Sequence, residues 1–167
     1  DKAVPAHLMA AARLNIPAIF VPGGVMSSGP GGLTLEQIGT YHVKQQRGEI
    51  TAEEFAQLKA NACPSCGACQ FMGTAGTMQV MAEALGLALP GSAVAPFSLN
   101  TIKNLARDAG TQIINLIERG ITSKEILTFE AFYNAIVIHA AISGSTNALL
   151  HLPAIAREAG VEIKPQL

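Results

Sequence analysis

Three cysteines stand at intervals of three residues, Cys63, Cys66 and Cys69, and they are the only cysteines in the 167-residue chain. The pattern C-x-x-C-x-x-C matches part of a ferredoxin-type loop, in which thiolates on successive turns hold an iron–sulfur cluster, although the fourth ligand is missing. Two other chemistries fit the same residues: a reactive redox thiol, and three inert packed thiols. A disulfide framework fits worst, because three is an odd number and the chain shows no secretory signal. Cys69 runs directly into GTAGTM, residues 73–78. Such a run of small residues reads as a helix start, whose free N–H groups and positive dipole end stabilise a thiolate or a nearby anion.

A second candidate is SGSTN, residues 143–147. Ser145, Thr146 and Asn147 offer donors at a helix start, and Gly144 lets a ligand approach the backbone. The simpler reading of the same five residues is an N-cap between two helices. His139 falls in the middle of an apolar helical stretch and His151 in the next one. Buried histidines of this kind are more often hydrogen-bonded core residues than ligands. Met9, Met72, Met78 and Met81 read as core, and composition alone makes Asp1 and Lys2 a solvated terminus.

These residues must be positioned by a domain whose class follows from composition and periodicity. With 49% hydrophobic residues over 167 positions, the chain can bury one sizeable core. Lys and Arg total 11 against 12 Asp and Glu, without a like-charged block. That argues against a nucleic-acid partner or an anionic membrane surface, which demand a clustered basic face. Apolar runs all end well short of the roughly 20 residues of a membrane span, so a soluble, cytoplasmic protein is expected. The opening DKAVPAHLMA has no initiator Met and the end, EIKPQL, lacks a closing element. A fragment of a longer protein is the expectation.

Along the chain, a helix is predicted from Pro5 through residue 14, then a short buried parallel strand at residues 16–21 and a flexible SSGPGG loop. Helices follow from Thr34 to about Arg47 and from Thr51, where Glu54 completes a capping box, to about Ala60. Met78, Met81, Ala82 and Leu85 give one apolar face to a helix over 73–85, with a second strand at 87–94. Ser98 opens a long helix with Ile102, Leu105, Ile113, Ile114 and Ile117 inward. Thr128 caps another helix through Ala141, and the last runs toward Glu158 with a kink at Pro153. Elements that alternate early and turn helical later predict an α/β domain, a parallel sheet with helical layers and a helix-rich C-terminal half.

Three longer stretches carry a resemblance. DKAVPAHLMA (1–10), CQFMGTAGTMQVMAEALGLALPGSA (69–93) and NAIVIHAAISGSTNALLHLPAIAREAG (134–160) resemble three motifs of the IlvD/Edd dehydratase family, in that family's order and across nearly the whole chain. CQFMGTAGT together with IHAAISGSTNALLHLPAIA is most similar to the YjhG/YagF branch, associated with D-xylonate and related sugar acids.

The resemblance implies that the chain, over 1–167, is part of an N-terminal, cluster-binding domain. It implies a lyase that dehydrates a sugar acid to a 2-keto-3-deoxy acid with an iron–sulfur cluster (2Fe-2S or 4Fe-4S) and Mg2+, in a homo-oligomer. The runner-up is dihydroxy-acid dehydratase of branched-chain amino-acid synthesis, and a non-enzymatic cluster carrier using all three cysteines is the reading from another class. Matched by position, Cys69 is a cluster ligand, Asp1 a Mg2+ ligand, and Lys2 a Mg2+ ligand once carbamylated. Ser145, Thr146 and Asn147 bind substrate. Two further cluster cysteines are expected upstream of Asp1 and the proton-abstracting serine downstream, so the fragment alone is expected to be inactive. Cys63 and Cys66 match no ligand position.

Overall fold

The computed structural model describes residues 2–97 and 99–163. Eight α-helices make up most of it: α1 (Ala3–Leu14), α2 (Gln37–Gln46), α3 (Ala52–Asn61), α4 (Thr74–Ala84), α5 (Leu99–Glu118), α6 (Ser123–Ile126), α7 (Phe129–Ala141) and α8 (Ala148–Ala159). A 3-10 turn occupies Pro30–Gly32. None of the described helices is long and apolar enough to cross a membrane.

Local chemistry sets several boundaries where the sequence places them. Thr51 and Glu54 form the reciprocal capping box, each side chain bonding the other's backbone N–H, at 3.1 and 2.7 Å. Thr128 accepts the Ala131 N–H at the start of α7. A short helix that periodicity misses, α6, is held at its start by the Glu125 carboxylate on the Thr122 N–H (2.7 Å). The buried Ser123 side chain then donates to the Ile16 carbonyl at 2.6 Å, tying α6 to the end of α1. α8 continues through Pro153, which lies inside it.

The predicted parallel sheet is absent among the described residues, and the domain is helical. Where the two strands were expected there is a single bridge, Phe20 with Ala88, and outside them Val25 bridges both Ala68 and Pro96; all three are parallel. Parallel order is therefore correct in direction but never extends into a ladder. Pro17, Pro22, Pro90 and Pro96 each remove a donor along these short segments. Residues 16–21 are also not buried as a central strand would be, Ile16 being half exposed.

The core lies where α1, α4, α7 and α8 meet. Leu8 and Ala12 of α1, Met78, Met81 and Ala82 of α4, Phe132 and Ala135 of α7, and Leu152, Ile155 and Ala156 of α8 are buried together. Flexible methionines fill the irregular space between these helices. α2 and α3 pair beside this core without a buried residue of their own. The inward face of α5 is met in part: Ile102, Leu105 and Ile113 are partly buried beside the buried Ala109 and Leu116, whereas Ile114 and Ile117 face outward. Ser98, the expected start of that helix, lies outside the described residues, as does Asp1.

Candidate active site

The GTAGT and SGSTN segments, far apart in sequence, meet. α4 begins at Thr74 and α8 at Ala148, and their first turns are joined by side chains. The Thr74 and Ser145 hydroxyls lie 2.8 Å apart, and Asn147 Nδ2 donates to Thr74 Oγ1 at 2.8 Å. One turn further along α4, the fully buried Thr77 accepts the Ser145 N–H on its Oγ1 at 3.0 Å. His139, near the end of α7, donates from Nε2 to the Ser145 carbonyl at 3.0 Å. Ser145 is thus held at its N–H and its hydroxyl by α4 and at its carbonyl by α7.

Gly144 is required by this crowding. A Cβ there would stand 2.5 Å from His139 Cδ2 and 3.0 Å from Thr77 Cγ2. The apparent permissiveness of the SGSTN glycine is a close-packing constraint, with His139 and Thr77 filling the space a ligand was expected to approach.

Proton counting shows what the network can offer. Thr74 and Ser145 carry two hydroxyl protons, of which one bridges the pair, and Asn147 already donates to Thr74. Whichever hydroxyl bridges, one O–H of the pair is left to donate outward. Beside it, the start of α4 has Gly73 as its N-cap and no side-chain cap. Its first-turn N–H groups and positive dipole end therefore accompany the spare hydroxyl. The start of α8 is different: the N–H groups of Ala148, Leu149 and Leu150 already bond the carbonyls of Ser145, Thr146 and Asn147. The free donors expected at residues 145–147 are thus offered mainly by the start of α4 and by side chains. Thr146 is exposed and stands outside the network, unlike Ser145 and Asn147.

α1 brings Lys2 to the same end of the molecule. α1 packs along α8 in the same direction, with Arg13 and Glu158 paired at their C-terminal ends (2.6 and 2.8 Å) and Lys2 acting on His151 at their N-terminal ends. Burial first, and then the positive Lys2, push the His151 pKa below its ordinary value, favouring the neutral ring. Its Nε2 is buried and makes no hydrogen bond. An anionic oxygen held at Lys2 is the kind of group that would satisfy that nitrogen.

Cys69 is placed by its neighbours. Ala68 is pinned on both sides, its N–H to the Gly24 carbonyl and its carbonyl to the Met26 N–H, each at 2.8 Å. Gly67 makes this approach possible: its φ is +118°, and a Cβ would lie 2.7 Å from Met26 N. The half-buried Cys69 Sγ donates to Gln70 Oε1 at 3.6 Å. Cys63 and Cys66 are exposed, and among the described residues no three Cys, His, Asp or Glu side chains gather into a metal-holding group. The compact three-thiol loop expected of a cluster carrier is not formed, because the three positions are presented separately along an extended loop. The soft, half-buried Cys69 thiol fits an iron–sulfur cluster as one ligand, and the orphaned nitrogen beside Lys2 fits a carbamate oxygen there.

Thr74, Thr77 and Gln70 were not singled out by motif reasoning. The available signal was the i, i+3 threonine pair of GTAGT, which puts two hydroxyls on one side of a helix start.

Comparison with known proteins agrees across the whole chain. A family profile described as "Dihydroxy-acid/6-phosphogluconate dehydratase N-terminal" matches residues 1–167. Relatives include a dihydroxy-acid dehydratase of Caldanaerobacter subterraneus subsp. tengcongensis, 50% identical over 98% of this chain and 30% of its own length. The one of Caldicellulosiruptor saccharolyticus is 46% identical over 98% of this chain and 30% of its own length. That of Clostridium pasteurianum is 45% identical, covering 98% of this chain and 58% of the relative. The chain thus spans about 30% of the first two relatives. These relatives carry the name dihydroxy-acid dehydratase, which supports the expected runner-up over the D-xylonate branch.

Proposed function

Because the chain belongs to the dihydroxy-acid/6-phosphogluconate dehydratase family, we propose that it carries part of the active site of a hydro-lyase that removes water from a 2,3-dihydroxy acid and leaves a 2-keto acid. The substrate is a small dihydroxy acid, in keeping with the name its relatives share, in preference to a sugar acid. The observation that carries this reading is the spare hydroxyl proton of the Thr74–Ser145 pair beside the uncapped start of α4.

The substrate carboxylate is held there. The first-turn N–H groups of α4 and the spare O–H donate to it, and Asn147 keeps the hydroxyl pair oriented by occupying one acceptor position on Thr74. His139 and Thr77 lock the Ser145 backbone, so the donors are fixed before substrate arrives. Lys2 and His151 lie at the same end of α1 and α8, and Cys69 lies four residues before the α4 N-cap. Cys69 would hold the iron–sulfur cluster, and Asp1 with carbamylated Lys2 would hold Mg2+, the carbamate supplying the hard oxygen that an amine lacks. When bound, these groups supply a Lewis-acidic iron for the departing hydroxide and a cation that acidifies the neighbouring C–H.

The test is turnover by the whole protein, loaded anaerobically with iron, sulfide and Mg2+, on 2,3-dihydroxyisovalerate and a panel of aldonates including D-xylonate. Keto-acid formation from dihydroxyisovalerate is expected. Turnover of an aldonate alone would replace the small-acid reading with the sugar-acid one. Inactivity on all of them by cluster-loaded protein would refute the hydro-lyase.

A further inference from the structure

Gln70 is engaged at both ends of its side-chain amide. Nε2 donates to the Ser27 carbonyl at 2.9 Å and to the Ala62 carbonyl at 3.1 Å, so both of its protons are spent. Ala62 is fully buried at the end of α3, and Ser27 lies in the loop before the 3-10 turn. Turning the amide over would break both bonds and set its oxygen against two carbonyl oxygens. Oε1 is therefore directed at Cys69, with Sγ 3.6 Å away. A free thiol donates to that oxygen. A thiolate bound to iron has no proton to give, and would face the negative end of a locked dipole.

We propose that Gln70 is a positioning residue that holds the negative end of its amide on the Cys69 sulfur and keeps an iron–sulfur cluster bound through Cys69 hard to reduce. The inference rests on the reading of Cys69 as a cluster ligand. Reduction adds one negative charge to a cluster. Hydrogen-bond donors aimed at its sulfurs stabilise that charge and raise the potential, and an acceptor oxygen at the same place does the reverse. A cluster used as a Lewis acid gains from resisting reduction, because an added electron would weaken the pull of its iron on a departing hydroxide. The two backbone anchors keep the amide from rotating to relieve the repulsion.

The experiment is a dithionite titration of the cluster in the whole protein, followed by visible absorption and electron paramagnetic resonance, for the native chain, Gln70→Leu and Gln70→Glu. Gln70→Leu removes the oxygen and should make the cluster easier to reduce by at least tenfold, about 59 mV for one electron. Gln70→Glu gives up both backbone anchors but brings a full negative charge to the residue beside Cys69, and should make the cluster harder to reduce. If Gln70→Leu holds no cluster, the Gln70→Glu potential decides: a lower value supports the proposal, and an equal or higher one overturns it. Loss of the cluster from both variants overturns it too, since Gln70 would then be needed for binding instead of tuning. An unshifted or lowered potential in Gln70→Leu, with the cluster retained, shows a clamp without electrostatic effect and overturns it. Cys69→Ser separates the two readings. Cluster retention there sinks the ligand assignment itself, whereas loss there with an unshifted Gln70→Leu potential sinks only this inference.

Discussion

Thr77→Val isolates the hydrogen bond that anchors the SGSTN turn. Valine matches threonine in shape, and Thr77 has no exposed surface, so the substitution mainly exchanges a buried hydroxyl for a methyl. The lost acceptor leaves the part-buried Ser145 N–H unpaired, where it was bonded at 3.0 Å. An unsatisfied donor of that kind costs about 1–3 kcal/mol. The added apolar group returns roughly 0.8 kcal/mol, so a net loss of up to about 2 kcal/mol is expected. Thr77→Ser is the paired control. It keeps the acceptor and loses one buried methyl, a change of roughly 0.5–1.5 kcal/mol. The two variants are thus similar in stability and different in geometry. Urea denaturation of the whole protein measures the first, and steady-state kinetics on a 2,3-dihydroxy acid measures the second. KM should rise in Thr77→Val, where Ser145 is free to shift off Thr74, and stay near native in Thr77→Ser. Equal KM values in the two variants, at matched stability, would refute the claim that Thr77 acts by holding Ser145.

Gly144→Ala drives a Cβ to 2.5 Å from the His139 ring, which cannot retreat without releasing Ser145. A loss of about 1–3 kcal/mol from overpacking is expected, read as a lower urea midpoint, and an unchanged midpoint would show that the turn is looser than this packing implies. Cys69→Ser in the whole protein should lose visible cluster absorbance, because a hydroxyl is a poor substitute for a soft thiolate. Cys63→Ser and Cys66→Ser, both at exposed positions, should keep it, and a colourless Cys66→Ser would return the ligand role to the cysteine-rich loop. In Mg2+-free protein with Lys2 uncarbamylated, burial first and then the positive Lys2 hold the His151 folded-state pKa below its ordinary 6.5, so its neutral form contributes stability that is complete above about pH 6.5 and lost as pH falls toward the lowered folded value. Urea midpoints at pH 7.5 and 5.5 should fall less on acidification in His151→Asn than in the native protein, and identical slopes would remove His151 from the acid response.

Local hydrogen bonding and helical periodicity were legible in the sequence because their partners lie within one turn. The Thr51–Glu54 box, the Thr128 cap and the apolar face of Met78, Met81 and Ala82 need nothing beyond four residues to be specified. Motif order likewise pointed to the family. What failed was whatever depends on distant segments. Residues 16–21 have the composition of a buried strand, yet prolines along both segments leave Phe20 and Ala88 a single bridge, and Ile16 stays half exposed. Periodicity placed Ile114 and Ile117 inward, although the face of α5 that meets the rest of the domain carries Ala109 and Leu116. The site shows the same division. That residues 143–147 begin a helix follows from their types, but Ser145 meets Thr74 and Thr77 across 71 and 68 residues of chain. Only the packing of α4, α7 and α8 brings those hydroxyls within hydrogen-bond reach, turns Gly144 into a filled contact and leaves one donor of the pair to spare. Donor types are a property of the sequence; which donors remain unspent is a property of the folded arrangement, because each hydrogen bond formed between distant residues removes one from what a ligand can use.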